Sequence, residues 1–230
     1  MSKRIEWIDT AKGIGIILVI LGHSEIAPAV RYAIYAFHMP LFALLSGLTF
    51  RLPKNDGFFK YVGKEFRRLM LPFFGVLLLD NLLKVVLWEL PVADAVTNFV
   101  RSIWSYVEDG SIFNLWFLIA LFFAKVIFYL LESRCSQISW AIYLLLCYIG
   151  MKIPLPLYLD KGLVLTLFLY VGYLFKPYVA GLVERKKAIA VCCGCGFLFL
   201  TIGLDMVFGL NAGIASINDR LYPGGFIFII

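Results

Sequence analysis

Long apolar runs separated by short polar links recur from one end of this 230-residue chain to the other, and a helix needs about 20 apolar residues to cross the hydrocarbon core of a bilayer. Few folds remain open to such a pattern. The runs lie near residues 8–26, 32–50, 69–88, 115–131, 137–151, 159–175 and 188–208, and an eighth begins at about Gly224. The chain is 62% hydrophobic and 16% charged, with a mean hydropathy of +0.89. A soluble domain carries about 25% charged residues, and no water-soluble core absorbs this much apolar surface. The expectation is an all-α polytopic integral membrane helix bundle of about seven spans plus the start of an eighth, forming one membrane domain over residues 1–230.

Basic residues set the orientation of such a bundle. The link between the second and third runs carries Arg51, Lys54, Lys60, Lys64, Arg67 and Arg68 against Asp56 and Glu65, and the link after the sixth run carries Lys176, Arg185, Lys186 and Lys187. Both are expected on the cytoplasmic side, with Lys3, Arg4 and the N-terminus. The link between the third and fourth runs holds Glu89, Asp94, Glu108 and Asp109 with only Arg101, which fits the opposite side. Within it Ala93, Val96, Val100, Trp104 and Val107 recur at helical spacing, as in a short amphipathic helix at the outer surface. The +6 net charge is thereby explained by topology, and no nucleic-acid partner is expected. No signal peptide is expected. Ala27-Pro28-Ala29 imitates a cleavage site, but Asp9 and Lys12 lie inside the first run and many spans follow.

Ionisable side chains are expensive in hydrocarbon and mark functional sites there. The first run contains Asp9, Lys12 and His23. At about 100° per residue, the step from Lys12 to His23 is three turns plus roughly 20°, so all three share one helix face. About 16 Å separates Lys12 from His23, which leaves Asp9 too far away to orient the imidazole. His23 and His38 are the only histidines, and they fall near the outer ends of consecutive antiparallel spans. A lone histidine in a membrane helix is often satisfied by a backbone carbonyl, but a pair on a charged stripe points to proton transfer. Pro40 frees a backbone carbonyl beside this pair, which either opens space or simply kinks the helix. Ser24 is read as a partner for the backbone at the helix end. No Gly-x-Ser-x-Gly elbow supports a serine nucleophile.

Lys64, Arg67 and Arg68 have two readings. Arginine offers a planar fork of donors suited to the phosphates of a nucleotide cofactor, but positive-inside signalling alone also places basic residues there. Cys192, Cys193 and Cys195 in the seventh run, with Cys147 and Cys135 elsewhere, lack convergent partner ligands, so no metal is expected.

Four segments together resemble the acyltransferase 3 family of membrane-bound O-acyltransferases. Lys12 is followed after ten residues by His23; Phe37-His38-Met39-Pro40-Leu41-Phe42 runs on to Ser46-Gly47; then come Arg68-Leu-Met-Leu-Pro72 and Asn114-Leu-Trp116-Phe-Leu118. Within the family the chain is similar to the fucose 4-O-acetylase subgroup, including Asn218-Asp-Arg-Leu-Tyr222. The resemblance implies a bundle of about ten helices in the bacterial cytoplasmic (inner) membrane. There an acyl group, usually acetyl from acetyl-CoA, passes to a hydroxyl of a sugar or glycan of the cell envelope. It ties Lys12 and His23 to activity and matches His38 and Arg68 to motif positions. Because the last apolar run stops at Ile230, the expectation is a chain lacking the last helices of the family.

The residues fit that chemistry when read independently of the resemblance. Transfer from a thioester to an alcohol needs a general base, an oxyanion site and a grip on the donor. His23 is the candidate base, with His38 beside it, and Asp9 and Lys12 form an i,i+3 pair that balances the stripe. Lys12, near the inner boundary, is placed to meet the CoA or the thioester region, and Arg67 and Arg68, with Lys64, to reach the phosphates. The alternatives are a proton-coupled transporter or flippase, which these charges could also serve although no internal repeat is visible, and a non-catalytic membrane protein if the chain is naturally truncated.

Overall fold

A computed structural model describes residues 6–26, 28–52, 57–87, 89–104, 115–134 and 140–182. The described residues are helical, with no strand among them. The helices are α1 (Glu6–Gly22), α2 (Pro28–Leu48), α3 (Phe58–Glu65), α4 (Leu71–Leu87), α5 (Val92–Trp104), α6 (Trp116–Arg134), α7 (Trp140–Lys152) and α8 (Leu159–Leu182). Among the described residues three continuous stretches are long and apolar enough to cross a membrane: Phe58–Leu87, Trp116–Arg134 and Pro156–Val179. The expected seventh run and the start of the eighth lie outside the described residues, as do Lys3, Arg4, Asn114, Cys135, the Cys192 group and Asn218–Tyr222.

The fold forms two compact units, residues 1–50 with 168–230 and residues 51–167. In the first, α1 lies antiparallel on α2, where Ile8 meets Leu45 and Leu48, joined by Trp7, Ala11, Leu41, Leu44 and Val179. Two glycines let α2 and α8 touch backbone to backbone. A Cβ on Gly47 would stand 2.9 Å from the Tyr173 nitrogen, and one on Gly172 would press on the Leu44 carbonyl. Small residues serve this purpose where apolar burial gives helices no drive to associate. Lys176 donates its ammonium to the Phe50 carbonyl just beyond the end of α2, where orphan carbonyls need donors.

In the second unit α6 is apolar all round and is covered on several sides, as such a helix must be. α3 and α4 run along one side of it, Gly162 near the start of α8 closes on its Ala120 and Phe123, and Tyr143 of α7 packs on its Phe128. The Tyr143 hydroxyl donates to Glu132 at 2.6 Å. α5 turns Ala95 and Phe99 inward and leaves Val92, Val96 and Val100 exposed, an apolar stripe at i,i+4 spacing.

The third span differs from expectation. It begins at Phe58, not near residue 69, so Lys60, Lys64, Arg67 and Arg68 ride on a helix and not in a link. Between α3 and α4 residues Phe66–Met70 form a π-turn, closed by the Leu71 N–H on the Phe66 carbonyl. The wide turn explains how so long a helix keeps one face on α6. Sixteen residues of uninterrupted α-helix would put Tyr61 and Leu77 about 160° apart; absorbing one residue brings them to about 60°. Tyr61, Glu65, Leu69, Met70, Phe73 and Leu77 are accordingly all buried.

Candidate functional site

α1 approaches α2 at Gly15, where an added Cβ would stand 2.9 Å from the ring of Phe42. The closeness brings the end of α1 beside the Phe37–Phe42 segment. The stripe expected to continue along one helix face stops at Gly22, because His23 occupies the turn that follows. Its backbone N–H donates to the Val19 and Ile20 carbonyls at 3.2 Å, and its side chain is exposed. The Ser24 hydroxyl donates to the Leu21 carbonyl at 2.7 Å, so this serine completes the helix end.

His38 is buried completely. Its Nδ1–H donates to the Ile34 carbonyl at 2.8 Å. A carbonyl can only accept, so the neutral ring carries its proton on Nδ1 and presents Nε2 as the basic nitrogen. His23 stands close enough for the two imidazoles to interact electrostatically. Asp9, exposed, and Lys12, half-buried, lie on α1 about three turns or more from His23.

Lys64, Arg67 and Arg68 belong to the other compact unit, and all three are exposed. The residue between Lys64 and Phe66 is different in kind. Glu65 is buried and ion-paired with the buried Lys125 of α6. Around this pair Tyr61 stacks on Tyr129 with centroids 4.3 Å apart, and Phe66 meets Phe122 edge to face at 6.0 Å.

Further buried polar groups escaped the sequence reading. Asp80 and Lys84 pair at 3.0 Å on α4, and Asn81 donates to the Leu77 carbonyl. Lys161 lies 4.7 Å from the ring centres of both Trp116 and Tyr158. Leu157 and Tyr158, just before α8, adopt positive φ of 58° and 55°, a conformation costly for side chains with a Cβ. A signal for most of these groups was present: Asp80, Lys84 and Lys161 are ionisable residues in or beside an apolar run. Among the described residues no group of three or more His, Cys, Asp or Glu could hold a metal ion.

A family model described as an acyltransferase domain, acyltransferase 3, matches residues 5–230. No curated protein and no solved structure matches the chain.

Proposed function

Because this chain belongs to the acyltransferase 3 family, a family of membrane proteins that transfer acyl groups, we propose that it moves an acetyl group from acetyl-CoA to a hydroxyl of a sugar or glycan. The acceptor class rests on the resemblance of the chain's motifs to those of sugar O-acetylases of the fucose 4-O-acetylase kind. The observation that carries the catalytic assignment is the His23–His38 pair, with the tautomer of one ring set by a backbone carbonyl.

In this reading His23, the exposed member, takes the proton of the acceptor hydroxyl as the oxygen attacks the thioester carbonyl carbon. The carbonyl electrons move onto oxygen; on collapse the C–S bond breaks and coenzyme A leaves as the thiolate, which regains a proton from the imidazolium. General-base help of this kind contributes about 10²–10⁴ in rate. His38, with its Nδ1 proton held by the Ile34 carbonyl, keeps Nε2 available as the basic nitrogen of the pair. Lys12, paired in charge with Asp9, contacts the coenzyme A moiety of the donor. Lys64, Arg67 and Arg68 hold the donor's phosphates, for which guanidinium forks are well shaped.

In this reading Lys64–Arg68 and the N-terminus face the cytoplasmic side of a bacterial inner membrane, where acetyl-CoA is available, as an excess of basic residues on that side supports. Residues 1–230 act as one membrane domain, and the exposed Val92, Val96 and Val100 of α5 rest in the opposite interface. The test is to incubate membranes carrying the full gene product with radiolabelled acetyl-CoA and a panel of cell-envelope glycans. Label should enter a glycan, and alkali should release it as expected of an ester. Label that stays in coenzyme A with every acceptor contradicts the proposal.

A further inference from the structure

We propose that Glu65 and Lys125 are positioning residues: their buried ion pair, with the π-turn that follows it, holds Arg67 and Arg68 in place for the polyphosphate of the acyl donor. The inference rests on the donor-binding role given above to the two arginines.

The pair is expensive. Its side chains are 7% and 9% exposed, and taking both charges out of water costs more than apolar residues of the same size would. An arrangement kept at such a cost is suited to fixing a geometry, and this one sits where geometry matters. Tyr129, Lys125 and Phe122 occupy successive turns of one face of α6 and grip Tyr61, Glu65 and Phe66 in turn. The grip ends at the residue that opens the π-turn. In that turn Leu69 and Met70 are drawn onto the core while Arg67 and Arg68 stay exposed. π-turns are uncommon and concentrate at functional sites.

The pairing has an electrostatic consequence as well. Glu65 is the acidic residue nearest to the arginines in sequence, and at i,i+3 from Arg68 it is a natural competitor for a guanidinium. Lys125 occupies its carboxylate instead, and no carboxylate among the described residues pairs with Arg67 or Arg68. The two guanidiniums therefore keep their donors for an external anion, and a diphosphate supplies the acceptor oxygens such forks bind.

The test compares two donors, acetyl-CoA and acetyl-pantetheine, which carries the same thioester without phosphates. The protein is the full chain in membranes, with glycan acceptor saturating. Replacing both charges by apolar residues of similar length (Glu65→Met with Lys125→Met) should raise the KM for acetyl-CoA roughly tenfold, the equivalent of one lost charge-assisted hydrogen bond. kcat should be little changed, and so should the kinetics with acetyl-pantetheine. Arg67→Ala and Arg68→Ala should show the same selectivity. Should the double variant fail to fold, Lys125→Gln against Lys125→Arg decides: the first should raise the acetyl-CoA KM selectively and the second, which keeps the pair, should not. If the arginine variants discriminate between the donors and the Glu65 and Lys125 variants do not, the positioning role is overturned. Arginine variants that affect both donors alike overturn the phosphate-binding role itself.

Discussion

His38 donates from Nδ1 to the Ile34 carbonyl one turn earlier on its own helix, at 2.8 Å, which makes Nε2 the basic nitrogen of a fully buried ring. A side chain of similar size that can donate the same bond but cannot accept a proton should keep the fold and lose the chemistry. His38→Asn is expected to lower kcat by about 10²-fold or more. His23→Ala should fall in the same range. Kinetics at matched levels of folded protein check both. Normal kcat in either variant removes that histidine from the mechanism.

The glycines at 47 and 172 give a sharp contrast with other glycines of the chain. Gly172→Val drives a branched side chain into the Leu44 backbone, and overpacking of this kind costs about 1–3 kcal/mol. A Cβ at Gly75 meets nothing within 4 Å, so Gly75→Ala should be neutral or gain up to about 1 kcal/mol of helix propensity. Thermal unfolding in detergent should fall for the first and hold or rise for the second.

Trp116 and Tyr158 flank the Lys161 ammonium. A buried cation over an aromatic face is worth about 2 kcal/mol. Trp116→Leu should therefore lower the unfolding temperature clearly, and Trp116→Phe, which keeps a ring face, should lower it less. Equal losses would show that the volume of the indole matters and the cation contact does not.

Contacts between exposed guanidiniums and phosphate are screened by salt, because the Debye length shrinks from about 10 Å at 0.1 M to about 3 Å at 1 M. The KM for acetyl-CoA should rise across that range. For acetyl-pantetheine it should stay level. A parallel rise for both donors would argue against phosphate capture by Lys64, Arg67 and Arg68.

Much of this architecture was legible in the sequence. Apolar length placed α1, α2, α6, α7 and α8, and the spacing of Val96 and Val100 placed α5. The two histidines stood out as a candidate pair because there are only two, on runs joined by a short turn. The first turns of the third span were not. Lys60, Lys64, Glu65, Arg67 and Arg68 depress hydropathy, and the π-turn breaks the α-helical period, so a window read at 100° per residue loses the face that runs from Tyr61 to Leu77. Glu65 could not be told from its solvated neighbours either. Its partner, Lys125, lies 60 residues away, and only the packing of α3 on α6 brings them together.

The most direct test of the account is acetyl transfer from radiolabelled acetyl-CoA by membranes carrying wild type, His23→Ala or Lys12→Ala at equal expression. The account predicts CoA-dependent labelling of a glycan by wild type and its loss in both variants. Wild-type labelling that survives both substitutions would contradict the assignment of these residues, and no CoA-dependent labelling by wild type with any glycan would contradict the proposed reaction.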